Sequence, residues 1–339
     1  MKISKLAGVL EQAFKNDVKV LTVGEPGIGK TAAVHQAATK LGYDVVDFSS
    51  PIEDPTTIRG YPIKTETGPA RHLLFEKLYK LINATRPTVA FFDDLGMAGE
   101  ATLKAVLQLI QFKYLDGQRL PDYVVITAAT NDVDRASGVA NFLEPLKTRF
   151  HAVIPVETSA EDVIDYGARK NWEPEVLAYL QCFPEAVLER QEKDVRSVRV
   201  QHASPRGWEN VSTLLRAGIT QPEAIEGAVG VGRGREFYNF RRLQRRLPNL
   251  TDIFNQPDKA PLPDDPSVSY MLSSLIVRQV TEQNIANALR YLRRVGEAYI
   301  TFAVRLLIRK NDKVVDWPAF QAWITTEGQS IMEILKKLE

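Results

Sequence analysis

The sequence predicts an α/β protein, with a parallel sheet covered by helices on both faces and a helical region after it. Three observations lead to this. Over residues 1–156, short Val/Ile-rich runs alternate with helix-length segments, the pattern of strands buried on both faces. Beyond about residue 157 the apolar spacing is helical and no convincing strand follows. A chain of 339 residues, 44% hydrophobic and 25% charged, is long and apolar enough for about two domains with a sizeable core.

The opening segment "MKISKLAGVLEQAFKND" is amphipathic, with no long apolar stretch and no small-residue cleavage site. It predicts a first helix rather than a secretory leader. Residues 18–23 read as a buried strand and 30–42 as a helix closed by Gly42. Further strands are predicted at 44–49, 88–92, 123–131 and 151–156, and helices at 72–84 and 99–112. Later segments such as "SAEDVIDYGARKN", "PEVLAYLQCF" and "PRGWENVSTLLRAG" carry helical spacing. The Pro- and Asp-rich stretch 255–266 reads as a linker, and long helical patterns follow it.

The first strand runs into "GEPGIGKT" (24–31), which fits the phosphate-loop pattern G-x-x-x-x-G-K-[ST] between a strand and a helix. Gly24, Gly27 and Gly29 let the backbone turn tightly and aim N–H groups at phosphate oxygens, helped by the helix dipole. Lys30 offers a point charge to the β- and γ-phosphates, and Thr31 a hydroxyl to Mg²⁺. The competing reading is a glycine-rich turn without a ligand; the flanking strand and helix favour the loop. The expected nucleotide-binding set is Gly24, Glu25, Pro26, Gly27, Ile28, Gly29, Lys30, Thr31 and Ala32, with ATP and Mg²⁺ as cofactors.

A phosphate loop needs an acid at the end of a neighbouring strand, and "VAFFDDLG" (89–96) supplies two. Asp93 would hold the metal through its water shell, together with Thr31, and Asp94 would polarise the attacking water. Mg²⁺ and Lys30 would offset the repulsion between them; the alternative is a solvated turn. "ITAATND" ends another strand with Thr130 and Asn131, where Asn131 could orient the water or simply begin a turn. Arg149, in "FLEPLKTRF" just before the last strand, could serve a neighbour's nucleotide in trans or form a surface ion pair. Arg206, in "ASPRGW", falls at the start of a helix, where such a machine could use a polar group; the competing reading is an ordinary helix-surface arginine.

This series, in this order, resembles the AAA+ ATPases. Gly24–Thr31 looks like Walker A, Phe91–Asp94 like Walker B, Asn131 like sensor 1, Arg149 like the arginine finger and Arg206 like sensor 2. Within AAA+ the chain looks most like the MoxR-type branch. The stretch 54–75, with "GYP" and a later "GP", resembles that branch's insert after the second strand, and 107–131 its helix, β-hairpin and sensor strand. The resemblance covers about residues 5–230. It implies a P-loop NTPase parallel sheet (1–156), a helical lid (157–230) and, outside the match, a C-terminal helical region (231–339) with a partner or assembly role. It also implies a homo-oligomeric ring, usually a hexamer, with ATP between subunits. The ring would remodel a protein client or adaptor, often one with a von Willebrand factor A domain. One departure stands out, since the family usually has Asp-Glu where this chain has Asp93-Asp94. The shorter acid sets its carboxylate back by roughly 1.5 Å, and misplacement of about 1 Å can cost on the order of 10²-fold in rate.

Net charge is +1, so nothing global points to nucleic acid or an anionic membrane. Locally, "GRGREFYNFRRLQRRLPNL" (232–250) interleaves Arg233, Arg235, Arg241, Arg242, Arg245 and Arg246 with Phe237, Tyr238 and Phe240. This stretch supports an alternative function, a nucleic-acid-directed AAA+ ATPase of clamp-loader or phage type; a solvated face or protein interface is the plainer reading. Tyr61 could grip a client in a pore or lie in the core. The basic amphipathic segment 290–310 could meet a membrane or pack in a bundle. The four histidines show no metal-ligand spacing with Cys182. A single cysteine permits no internal disulfide, no run is long enough to span a bilayer, and a cytoplasmic setting is expected.

Overall fold

Parallel strands leave their C-terminal ends on one edge of the sheet, and strand order decides which ends meet. The computed structural model describes residues 1–68, 70–115, 118–131, 147–189 and 201–337. It divides into two compact units, Met1–Thr158 and Ser159–Glu339.

The first unit begins with α1 (Ile3–Lys15), β1 (Val20–Gly24), α2 (Lys30–Leu41) and β2 (Asp44–Ser49). Next come α3 (Pro55–Arg59), the short strands β3 (Tyr61–Ile63) and β4 (Arg71–Leu73), α4 (Glu76–Ile82) and β5 (Thr88–Asp93). α5 (Glu100–Phe112), β6 (Tyr114–Leu115), β7 (Gln118–Arg119), β8 (Val124–Asn131) and β9 (Ala152–Pro155) complete it. The five long strands form one parallel sheet in the order β2-β5-β8-β1-β9. β8 therefore lies between the strand that feeds the phosphate loop and the strand that ends in the two aspartates. β3 pairs with β4, and β6 with β7, as separate antiparallel hairpins.

The apolar runs explain the layering. Phe48 and Phe92 stack with ring centroids 4.7 Å apart, in a core with Leu21, Val46, Leu103 and Val106. Buried threonines in the strands stay satisfied: Thr22 Oγ1 donates to the Ala128 carbonyl at 3.2 Å and Thr127 Oγ1 to the Val20 carbonyl at 2.9 Å. The predicted helix over 72–84 starts late, because Arg71–Leu73 pair in the hairpin and the helix begins at Glu76.

The described residues of the second unit contain helices and no strand. One apolar cluster runs from Ala160 to Ile331, so the segments expected as lid (157–230) and C-terminal region (231–339) share a core. Asp165 ties them further, accepting from Arg305 Nε at 2.7 Å and Arg309 Nε at 3.2 Å. Tyr179 sits among Phe183, Trp208, Phe237 and Phe240, with centroids 5.0–5.4 Å away. Burial, and then the nearby Glu236 carboxylate, hold its hydroxyl above the usual tyrosine pKa.

One sequence expectation changes here, and one open alternative resolves toward packing. The 255–266 stretch is a packed loop rather than a free linker. Ala260 is buried, Tyr291 Oη donates to the Pro261 carbonyl at 2.6 Å, and Arg246 bridges Asp264 and Asp265 at 2.8 and 3.0 Å. The 290–310 segment is two helices broken at Gly296, whose φ is 141°. Their apolar residues, including Tyr291, Ile300, Val304 and Leu307, lie in the core, which leaves no apolar face for a membrane. No helix among the described residues is long and apolar enough to cross a bilayer.

Candidate active site

The loop between β1 and α2 owes its shape to glycine. A Cβ at Gly24 would stand 2.6 Å from the Val156 carbonyl and 2.8 Å from Ile28 Cδ1, so a side chain cannot enter without moving backbone. Gly29, at φ 102°, caps α2 in the left-handed region that glycine takes without strain. Inside this turn Lys30 is buried, at 6% exposure. Its ammonium donates to the Gly24 carbonyl (2.8 Å), the Glu25 carbonyl (2.9 Å) and Asn131 Oδ1 (3.0 Å). Ile28 packs inward, while Pro26 and Ala32 are exposed.

Sheet register brings the other groups to the same edge. Gly24 pairs with Asn131, and Phe92 with Ala128, so Asp93 and Asp94 emerge beside the end of β8. Thr31 Oγ1 donates to Asp93 Oδ2 at 2.6 Å, and Asn131 Nδ2 donates to Asp94 Oδ1 at 3.0 Å. The Asn131 amide thus has its oxygen on Lys30 and its nitrogen on Asp94. Lys30, Thr31, Asp93, Asp94 and Asn131 form one connected polar group, although they come from the start of a helix, the ends of two strands and a turn.

Sequence reasoning missed the backbone of Asp94, which has φ 49° and ψ 39°. A non-glycine residue is uncommon there, and aspartate tolerates it better than most. The adjacent Asp-Asp was the available signal, because a short polar side chain suits a left-handed turn.

Arg149 lies apart from this group within the first unit. Arg149 precedes β9, whose Ala152 pairs with Val20 at the start of β1, whereas Lys30 follows the far end of that strand. Arg149 Nε donates to Gln111 Oε1 at 3.0 Å, in the last turn of α5, which runs back toward the start of β8. The levels of Ala152 and Gly24 are about 13 Å apart along the strands. Arg149 therefore belongs to the opposite end of the sheet from the phosphate loop. Arg206 belongs to the second unit, exposed in the first turn of the helix Pro205–Arg216, which Ser204 caps. Tyr61 is exposed on the β3–β4 hairpin and is not core. Pro69, Asp116, Gly117 and residues 142–146 of the segment that carries Arg149 lie outside the described residues.

The chemistry of the donors fits Mg²⁺. Thr31 Oγ1 and Asp93 Oδ2 are adjacent hard oxygens, suited to a cation that takes its other ligands from phosphate and water. Among the described residues no group of three or more His, Cys, Asp or Glu could enclose a metal with protein ligands alone.

Residues 20–157 match the family model described as "ATPase family associated with various cellular activities (AAA)". This match spans most of the first unit, which has the fold of an AAA-type P-loop core. The AAA ATPase reading covers the loop, both aspartates and Asn131, and makes the protein an ATP hydrolase. No curated protein sequence matches the chain. Among solved structures it is similar to the RuvB Holliday junction branch migration motor of Thermotoga maritima, at 15% identity and a TM-score of 0.36, over 94% of this chain and 86% of that one. It is also similar to NtrX from Brucella abortus in complex with ADP, at 12% identity and a TM-score of 0.42, over 99% of this chain and 68% of that one. At these scores neither likeness bears on substrate or partner.

Proposed function

We propose that the protein is a MoxR-type AAA+ ATPase that acts as a homo-oligomeric ring, a hexamer, in the cytoplasm. It hydrolyses ATP between subunits to remodel or activate a protein partner, such as one carrying a von Willebrand factor A domain. The observation that carries the reading is the separation of Lys30 from Arg149 at opposite ends of one sheet. An arginine so placed lies away from its own phosphate loop, which fits service to a neighbour's nucleotide. The branch is supported by the β3–β4 hairpin after β2 and the β6–β7 hairpin before β8. The first of these exposes Tyr61, Ile63 and Leu73, an apolar edge suited to gripping a polypeptide. In this reading the first unit binds nucleotide, residues 157–230 act as the lid with Arg206 as its sensor, and 231–339 serve assembly or the partner.

In the reaction, loop N–H groups and Lys30 bind the phosphates. Thr31 and Asp93 would hold Mg²⁺, which neutralises phosphate charge when bound. Asp94 accepts a proton from water as its oxygen attacks the γ-phosphorus, and the bond to the β–γ bridging oxygen breaks, releasing ADP and phosphate. Asn131 keeps the Asp94 carboxylate aimed. Asp94→Asn is expected to leave ATP bound while turnover falls by about 10²–10⁴-fold. Asp93→Asn should instead raise the Mg²⁺ concentration that turnover requires. Steady-state turnover and ATP binding, measured across a Mg²⁺ series, check both; wild-type behaviour in the two variants would reduce the pair to a turn.

The nucleic-acid alternative draws less support from the arginine-rich stretch, because four of its six arginines, Arg233, Arg235, Arg241 and Arg246, are engaged by carboxylates. Arg233 pairs with Glu189 at 2.9 Å and Glu236 at 2.8 Å, Arg235 with Glu226 at 3.0 Å, Arg241 with Glu175, and Arg246 with Asp264 and Asp265. Phe237 and Phe240 are buried and cannot stack on bases. Burial alone would lower the Arg233 pKa, but hydrogen bonds to Glu236 and Glu189 hold it above the usual value. These paired arginines contribute to the fold. Arg233→Ala is expected to cost about 1.5–3 kcal/mol, read as a lower denaturation midpoint, and DNA should not raise the turnover of the wild-type protein. DNA-stimulated turnover that Arg233→Ala abolishes would restore the alternative.

A further inference from the structure

We propose that Thr130 is a positioning residue for hydrolysis, its hydroxyl fixing the backbone turn that aims Asp94 at the attacking water. The inference rests on the reading of Asp94 as the catalytic acid.

The turn needs holding. Asp94 has left-handed backbone angles, with φ at 49°, and such a conformation persists when its surroundings over-determine it. Two of the constraints are local: Asp94 N donates to Asp93 Oδ1 at 2.9 Å, and Met97 N to the Asp94 carbonyl at 2.8 Å. Two more come from β8. Asn131 reaches the Asp94 carboxylate, and Thr130 Oγ1 accepts from Gly96 N at 3.2 Å. Thr130 thereby pins the chain two residues beyond the acid, from the strand that also carries Asn131.

Burial makes this contact count. Thr130 is 2% exposed and Gly96 is buried, so water does not readily replace the hydroxyl as an acceptor. The hydroxyl's own proton points to the Asn131 carbonyl at 3.3 Å, which leaves its oxygen to face Gly96. Turning the backbone at 94 redirects the Cα–Cβ bond and brings a one-methylene carboxylate within 3.0 Å of Asn131 Nδ2. The turn thus does for a short acid what a longer side chain would do from an extended backbone, and Thr130 holds that turn.

The test compares wild type, Asp94→Asn, Thr130→Val, Thr130→Ser and the double variant Thr130→Val/Asp94→Asn. Turnover is measured by steady-state kinetics and ATP affinity by calorimetry. Valine keeps threonine's shape and removes the acceptor. Thr130→Val should lose kcat by on the order of ten- to a hundred-fold, while ATP affinity changes by less than about threefold. Thr130→Ser should retain kcat within about threefold of wild type. On the Asp94→Asn background, Thr130→Val should cause no further loss, because the acid it aims is gone. Wild-type kcat in Thr130→Val, a serine variant as slow as the valine one, or the full loss repeated in the double variant would each overturn the inference. If Thr130→Val does not fold, Thr130→Ala replaces it in every comparison. Near-wild-type turnover of Asp94→Asn alone would instead overturn the reading of the acid itself, and the inference with it.

Discussion

Lys30→Ala is expected to weaken ATP binding by on the order of 10²–10³-fold, the scale for truncating one partner of a desolvated charge pair. The substitution removes more than a cation. The buried ammonium also holds the Gly24 and Glu25 carbonyls, 2.8 and 2.9 Å away, so the loop loses its internal tie. It further releases Asn131 Oδ1 and thereby loosens the amide that orients Asp94. Binding and turnover should therefore fall together. Lys30→Met, which keeps an apolar stem in the same channel, separates the charge from the packing. Calorimetric titration with ATP, on variants shown to melt like wild type, reads the result. Unchanged affinity would sink the assignment of the loop.

Arg149→Ala is expected to leave ATP binding nearly intact and to lower turnover by about 10³–10⁵-fold, the range for a finger that stabilises transition-state charge. The reason lies in the sheet. Ala152 pairs with Val20 at the start of β1, and Gly24 ends that strand, so the arginine and its own phosphate loop face opposite edges. Mixing decides the matter. Subunits with Arg149→Ala are combined with subunits carrying Lys30→Ala, each inactive alone. In a mixed ring an intact Lys30 site can meet an intact Arg149 from its neighbour, and part of the activity should return. No recovery in demonstrably mixed rings means that the arginine does not act in trans. Full activity of Arg149→Ala alone removes it from the mechanism.

Much of the first unit was legible because its signals are local. Apolar runs marked the five long strands, and glycine spacing marked the loop. What was not legible depends on groups distant in sequence. Strand order puts β8 between β1 and β5 and so joins Asn131 to both Lys30 and Asp94; no run of residues encodes that neighbourhood. His72 and Leu73 looked helical because the pairing with Tyr61 and Pro62 that makes them part of a strand is invisible in their own pattern. The pairing of the arginine-rich stretch was not legible because Glu175, Glu189 and Glu226, which pair with Arg241, Arg233 and Arg235, lie scattered earlier in the sequence. The 255–266 stretch looked like a linker because Tyr291 and Arg294, which fasten it, come thirty or so residues later.

The bonds that tie down Lys30 have a consequence for how nucleotide arrives. A lysine side chain free in water gives up as much as about 1.5–2 kcal/mol of rotamer entropy when it is fixed. Here carbonyl and amide oxygens already hold the ammonium, so that loss falls on folding and not on binding. An incoming phosphate meets a cation whose place is set, and the event becomes an exchange of oxygens around it. Association should then be governed by encounter with the loop, with no slow search by the side chain for its ligand.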